Sequence, residues 1–119
     1  MSYWVSLRDP VTGRILNMDR LHEMKGGTYI LGGTIEAELN ITYNYSARFR
    51  SAFGDEKGIR CLYGKTGAES IPLLNSAVAK LGDDVDPDYW KAAEGNVKRA
   101  LLQLLAMAQI RPDGVWRGD

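Results

Sequence analysis

Residues 26–45, GGTYILGGTIEAELNITYNY, carry two Gly-Gly pairs, the chain's longest apolar/polar alternation and its densest polar and aromatic cluster. Ile35, Ala37, Leu39, Ile41, Tyr43 and Tyr45 fall on one parity. Glu36, Glu38, Asn40, Thr42, Asn44 and Ser46 fall on the other. Period two, with β-branched and aromatic residues gathered at its end, predicts a half-buried strand over 35–45. The competing reading is a helix capped by Thr34, because EAEL has high helix propensity. A helix would spread the apolar set around its circumference, so the strand is preferred. Gly32-Gly33 permits the positive φ angles of a tight hairpin turn between TYIL and this run.

Upstream, YWVSLR (3–8) and RILNM (14–18) flank DPVTG, whose Asp9-Pro10 and Gly13 supply the chemistry of a β-hairpin turn. Residues 19–27 are polar, end in Gly-Gly and read as a connecting loop or a poorly paired edge. Downstream, SARFRSAF (46–53) predicts a short helix stopped at Gly54, and IRCLY (59–63) a further strand or a buried connection. In the next segment Thr66 and Glu69 have capping-box spacing, and Ile71, Leu74, Val78 and Leu81 share a helical face ended by Gly82. A last helix is expected over 95–110. It is apolar nearly all round, so it buries several sides or meets a partner chain. Pro112 ends it, and Trp116 is expected to fold back onto the core. Together these elements predict a single α+β domain: an antiparallel sheet of four or five strands with two main helices packed on one face.

At 119 residues there is room for one core, and 45% hydrophobic with 25% charged residues is the balance of a globular domain. The 15 basic and 15 acidic residues cancel, leaving no global field for nucleic acid or acidic lipid. The single cysteine, Cys61, and the single histidine, His22, exclude Cys- or His-built metal sites. No cofactor is expected. No apolar run is long enough for a membrane span, and MSYWVSLRD lacks the features of a signal peptide, so a cytoplasmic setting is expected.

Candidate binding residues cluster in TYNYSARFRSAF, where Tyr43, Tyr45 and Phe49 lie among Arg48 and Arg50. Nucleotides want this mixture, aromatic faces for the base and forked N–H donors for phosphate. From Arg48 to Lys65 there are five basic residues (Arg48, Arg50, Lys57, Arg60, Lys65) against Asp55 and Glu56. That local excess is the main hint of an anionic ligand. The alternative is that the tyrosines are core and the arginines pair with the acidic link Asp83–Asp88. On the strand, Asn40 and Asn44 share the polar parity and offer both donors and acceptors to a base or ribose, unless that parity is simply a solvent face. GKTG (64–67) lacks the first Walker glycine, since Ile59 stands there. A weaker possibility is the start of the helix at Gly67, which could hold a phosphate beside Lys65, against the reading that Thr66 and Glu69 merely cap it. Asn96, an expected N-cap of the last helix, belongs to the same set, with Tyr89 and Trp90 before it as platform or core. Catalysis has little support: His22 has no nucleophile near it in the predicted fold, and Glu36 with Glu38 carries no spacing that demands an acid/base pair or an ion.

The blocks GGTYILGGTIEAELNITYNY, YGKTGAESIP, DDVDPDYW, EGNVKRALLQLLA and RPDGVW, in this order from Gly26 to Trp116, resemble a group of small proteins encoded in bacteriophages, prophages and their bacterial hosts. The resemblance implies a genomic setting rather than a chemistry. Small accessory phage proteins often act against host defence, by blocking a defence protein or sequestering a nucleotide signal. The leading expectation is thus a non-enzymatic binding protein for a small anionic nucleotide-like ligand. Its expected site is Asn40, Tyr43, Asn44, Tyr45, Arg48 and Arg50, supported by Arg60, Lys65 and Asn96. The chain is expected to form a homo-oligomer. The rival is a protein-binding inhibitor of a host defence protein.

Overall fold

The computed structural model describes residues 1–26 and 29–119, and for 21–26 and 29–33 the backbone alone. Gly27 and Thr28, and the side chain of His22, lie outside the described residues. The fold is α+β, as expected, but its antiparallel strands divide into two sheets. Three strands, β1 (Ser2–Arg8), β4 (Glu38–Thr42) and β5 (Val115–Gly118), form one sheet with β1 at its centre. The other pairs β2 (Asn17–Gly26) with β3 (Tyr29–Glu36).

The sheets meet at a closed ring of main-chain hydrogen bonds. Leu7 N–H donates to the Ala37 carbonyl (2.9 Å), Ala37 N–H to Leu16 (2.8 Å) and Leu16 N–H to Leu7 (2.9 Å). This ring explains two departures from the sequence reading. The expected hairpin does reverse at Asp9–Gly13, where the Asp9 carboxylate accepts from Val11 and Thr12 amides at 2.8 and 2.9 Å. Its second strand keeps only the Arg8–Ile15 bridge and then leaves to pair with β3. The expected strand over 35–45 is likewise shared: the chain quits β3 at Glu36, passes through Ala37 and joins β1 from Glu38 to Thr42. Tyr43–Tyr45 then winds into a 3₁₀ turn.

Two further corrections concern β2 and β3. Residues 19–26, read as a loop or poor edge, are strand, and Gly32-Gly33, read as a turn, lies inside β3 with Gly33 opposite Glu23. A polar run shows no apolar alternation by which a strand is recognised, and the main chain that pairs with it is not visible locally.

The inner parity of the three-stranded sheet carries Tyr3, Val5, Leu7, Leu39, Ile41 and Trp116. These side chains share one core with Phe49 and Ala52 of α1 (Ser46–Phe53), Leu74 and Ala77 of α2 (Gly67–Ala79), and Val97, Leu101, Leu104 and Ala108 of α3 (Glu94–Ile110). Gly54 stops α1 in the left-handed region at φ 63°. The 59–63 segment is a 3₁₀ turn, Gly58–Leu62, that buries Ile59 and Leu62. Thr66 and Glu69 form the expected capping box of α2, with reciprocal bonds of 3.0 and 2.9 Å, although the helix ends before Gly82, at Ala79. Trp116 is fully buried, its indole N–H donating to Ser70 Oγ at 2.8 Å. α3 buries a wide face but leaves Leu102 44% exposed, so it is not covered all round within the chain.

Candidate functional site

The donors that the sequence groups around Tyr43–Arg50 converge on one loop. Tyr45 is fully buried, and its hydroxyl donates to the Tyr89 carbonyl at 2.6 Å. Asn44 Nδ2 donates to the Trp90 carbonyl at 2.8 Å, and Arg48 Nε to the Ala92 carbonyl at 3.0 Å. From the other side, Asn96 Nδ2 faces the carbonyls of Asp86 (3.1 Å), Asp88 (3.3 Å) and Lys91 (3.3 Å). A loop without regular structure leaves carbonyls that must find donors, and these four side chains supply them. Asn96 is therefore not the N-cap of α3, a position held by Ala93, but sits one turn inside and reaches back. Tyr89 packs on the Tyr45 ring with centroids 5.5 Å apart. Burial pushes the Tyr45 hydroxyl far above the ordinary tyrosine range, so it stays a neutral donor.

The remaining expected residues are dispersed. Asn40 is buried on β4 opposite Trp4 of β1, donating to Ser2 Oγ (2.8 Å) and the Tyr3 carbonyl (3.3 Å). Tyr43 meets Tyr3 edge-on at 4.6 Å, and the Arg60 guanidinium lies over both rings, 5.0 Å from Tyr3 and 5.8 Å from Tyr43. Arg60 Nε also donates to the Asp119 main-chain oxygen at 2.9 Å. Arg50 is exposed in the last turn of α1, and Lys65 is half-buried beside Cys61, whose thiol is pushed up by burial. The start of α2 is closed to phosphate. Its first amides donate to Gly114 O, Pro112 O, Thr66 Oγ1 and Thr66 O.

A concave site lies instead on the outer face of the three-stranded sheet. Because Tyr3, Val5 and Leu7 point inward, Trp4, Ser6 and Arg8 point outward. Trp4 and Arg8 contribute to an open groove of about 450 Å³ that is lined also by Glu38, Arg117, Gly118 and Asp119. Ser6, almost fully buried, stands in register between Glu38 on one side and Arg117 on the other. Two strand spacings, about 9.5 Å between backbones, keep that carboxylate and guanidinium apart. Neither makes a hydrogen bond or ion pair among the described residues. Trp4 is 38% exposed, and its amide donates to Asp119 Oδ1 at 2.9 Å. Arg8 is braced by Ser6 Oγ (3.1 Å) and the Gly13 carbonyl (3.0 Å). Burial pushes the Glu38 carboxyl above the ordinary glutamate value, Glu36 adds to the shift and Arg8 opposes it. At Gly118 any side chain would run into the Tyr63 ring and the Trp4 carbonyl. The Tyr63 hydroxyl beneath is buried without a partner among the described residues.

Of these groove residues, sequence reasoning singled out only Glu38. The signal for Trp4 and Arg8 was present in YWVSLR, where a tryptophan and an arginine share the parity opposite the core residues. Arg117 had no such signal, because nothing local says that β5 returns beside β1. Among the described residues no group of three or more His, Cys, Asp or Glu side chains gathers as a metal site, and no helix is long and apolar enough to cross a membrane. No family model, curated protein or solved structure matches the chain.

Proposed function

We propose that this chain is a non-enzymatic binding protein for a small anionic, nucleotide-like molecule, and that the ligand sits in the outer-face groove. The observation that carries the reading is the sharing of one concavity of about 450 Å³ by Trp4, a half-exposed indole, and two arginines, Arg8 and Arg117. That volume falls in the range of small-ligand sites. Trp4 offers a face on which a base stacks, while Arg8 and Arg117 offer forked donors to phosphate. Arg8 is already held by Ser6 and Gly13, so little of its freedom is lost on binding. In the phage setting implied by the sequence resemblance, such a protein would sequester a nucleotide signal.

Titration with nucleoside monophosphates, followed by calorimetry and by the part of the tryptophan fluorescence that Trp4→Ala removes, tests this reading. Binding is expected, and Trp4→Ala or Arg117→Ala should weaken it at least about tenfold, the loss of one stacking or charge-assisted contact. Saturation by no nucleotide, or binding untouched by both variants, removes the groove as the site.

A second reading is favoured by the openness of the same groove. Trp and Arg are the side chains most often central to protein interfaces, and here both line the groove. A protein-binding inhibitor would capture a host protein through Trp4 and Arg117, and capture would fail in the same variants without any nucleotide present.

A further inference from the structure

We infer that the groove selects a base with a donor–donor edge, the guanine type, and that Glu38 is the residue that reads it. The inference rests on the groove being a nucleotide site. Glu38 and Arg117 face the same concavity from β4 and β5, with Ser6 of β1 between them. Left in contact, they would neutralise each other. Held two strands apart, they present one acceptor-only group and one donor-only group to whatever enters. A ligand that satisfies both must carry N–H donors at one end and an anion at the other.

An ionised carboxylate has two oxygens and no hydrogen to give. It matches the paired N1–H and N2–H groups of guanine, whereas the adenine edge places a ring-nitrogen acceptor against it. Trp4 lies two residues along β1 from Ser6 on the same face, with Asn40 opposite it on β4, so Glu38 stands diagonal to Trp4 and within reach of the edge of a base stacked there. The remaining charged groups at this place are Glu36 beside Glu38, Arg8 on β1 and Asp119 past β5. Arg8 and Asp119 already have partners in Ser6, Gly13 and the Trp4 amide. Glu38 has none among the described residues, although it is half-buried. A half-buried carboxylate without donors is unfavourable, and the raised pKa of Glu38 is a symptom of that. Two ligand N–H groups would supply what the fold withholds.

The test compares guanosine, inosine and adenosine monophosphates by calorimetry on the intact chain, then on Glu38→Gln. Guanosine monophosphate is expected to bind at least about tenfold tighter than adenosine monophosphate, the discrimination of a bidentate contact, with inosine monophosphate between them because it lacks the second donor. In Glu38→Gln the guanine-to-adenine ratio should fall to near unity. Equal binding of the three by the wild-type chain, which needs no variant, overturns the inference while leaving the groove a nucleotide site. A ratio unchanged in Glu38→Gln also overturns it. Binding of none of the three overturns the site itself and the inference with it.

Discussion

Asn96 and Asp86 are paired in both directions: Asn96 Oδ1 accepts from the Asp86 amide at 3.2 Å, and Asn96 Nδ2 donates to the Asp86 carbonyl at 3.1 Å. The side-chain amide thus imitates a strand partner for a loop that has none. With Tyr45, Asn44 and Arg48 closing from the opposite side, residues 86–92 are held by side chains in place of a ladder.

Asn96→Ala should therefore cost about 2–3 kcal/mol, since a buried side chain loses several part-buried bonds together. Asn96→Asp should cost more than the alanine variant. It keeps the shape but turns a second oxygen toward the carbonyls of Asp86, Asp88 and Lys91. Urea denaturation of the two variants measures the order, and an aspartate variant as stable as wild type would mean that the amide donor is idle.

Asn44→Ala and Arg48→Ala separate loop clamping from ligand binding. Both side chains are exposed, so each loss should stay below about 1 kcal/mol. The expected phenotype is faster limited proteolysis between residues 83 and 93, with nucleotide affinity as in wild type. A loss of affinity in Arg48→Ala comparable to that in Arg117→Ala would return the site to the Tyr43–Arg50 cluster.

Much of the helical half was legible because its signals are local. Thr66 and Glu69 announce a capping box within four residues, Gly54 a stop, and the nearly all-round apolar run over 95–110 a largely buried helix. The sheets were less legible because their partners are remote. Nothing near Ala37 reveals that its carbonyl and amide go to Leu7 and Leu16, on two different segments, so one alternating run was read as one strand. The hydrogen-bond partners of the candidate site residues were hidden for a related reason. Tyr, Asn and Arg have the same donors whether they meet a phosphate or a loop carbonyl, and the sequence does not say that residues 86–92 lack a ladder of their own.

Gly95→Ala probes the other end of that loop. A Cβ at this position would stand 2.5 Å from the Asp84 carbonyl oxygen and 2.7 Å from that of Asp83. Both are main-chain atoms, and Gly95 N–H itself donates to Asp84 O at 2.8 Å, so the Asp84 carbonyl cannot withdraw without losing that bond. A cost of about 2–3 kcal/mol is expected, the upper part of the range for overpacking. Thermal unfolding measures it, and an unchanged midpoint would show that the 83–84 segment yields freely.

Glu38→Gln should raise stability at neutral pH. In the folded chain the Glu38 carboxyl is raised above its ordinary value chiefly by burial, then by Glu36, against the opposing pull of Arg8. The folded state consequently binds this proton more tightly than the unfolded chain does. Its contribution is fully present below the unfolded pKa and is lost as pH rises through the folded pKa. Glutamine carries no charge to desolvate, so the variant avoids that loss. Urea midpoints should favour Glu38→Gln at neutral pH, and the difference should shrink toward zero well below the ordinary glutamate pKa. Saturating guanosine monophosphate should reverse the order at neutral pH, because ligand N–H groups then stabilise the ionised carboxylate that the glutamine lacks. A wild-type chain more stable than Glu38→Gln at neutral pH without ligand would mean that the carboxylate has a partner within the fold, and the acceptor offered to the ligand would disappear with it.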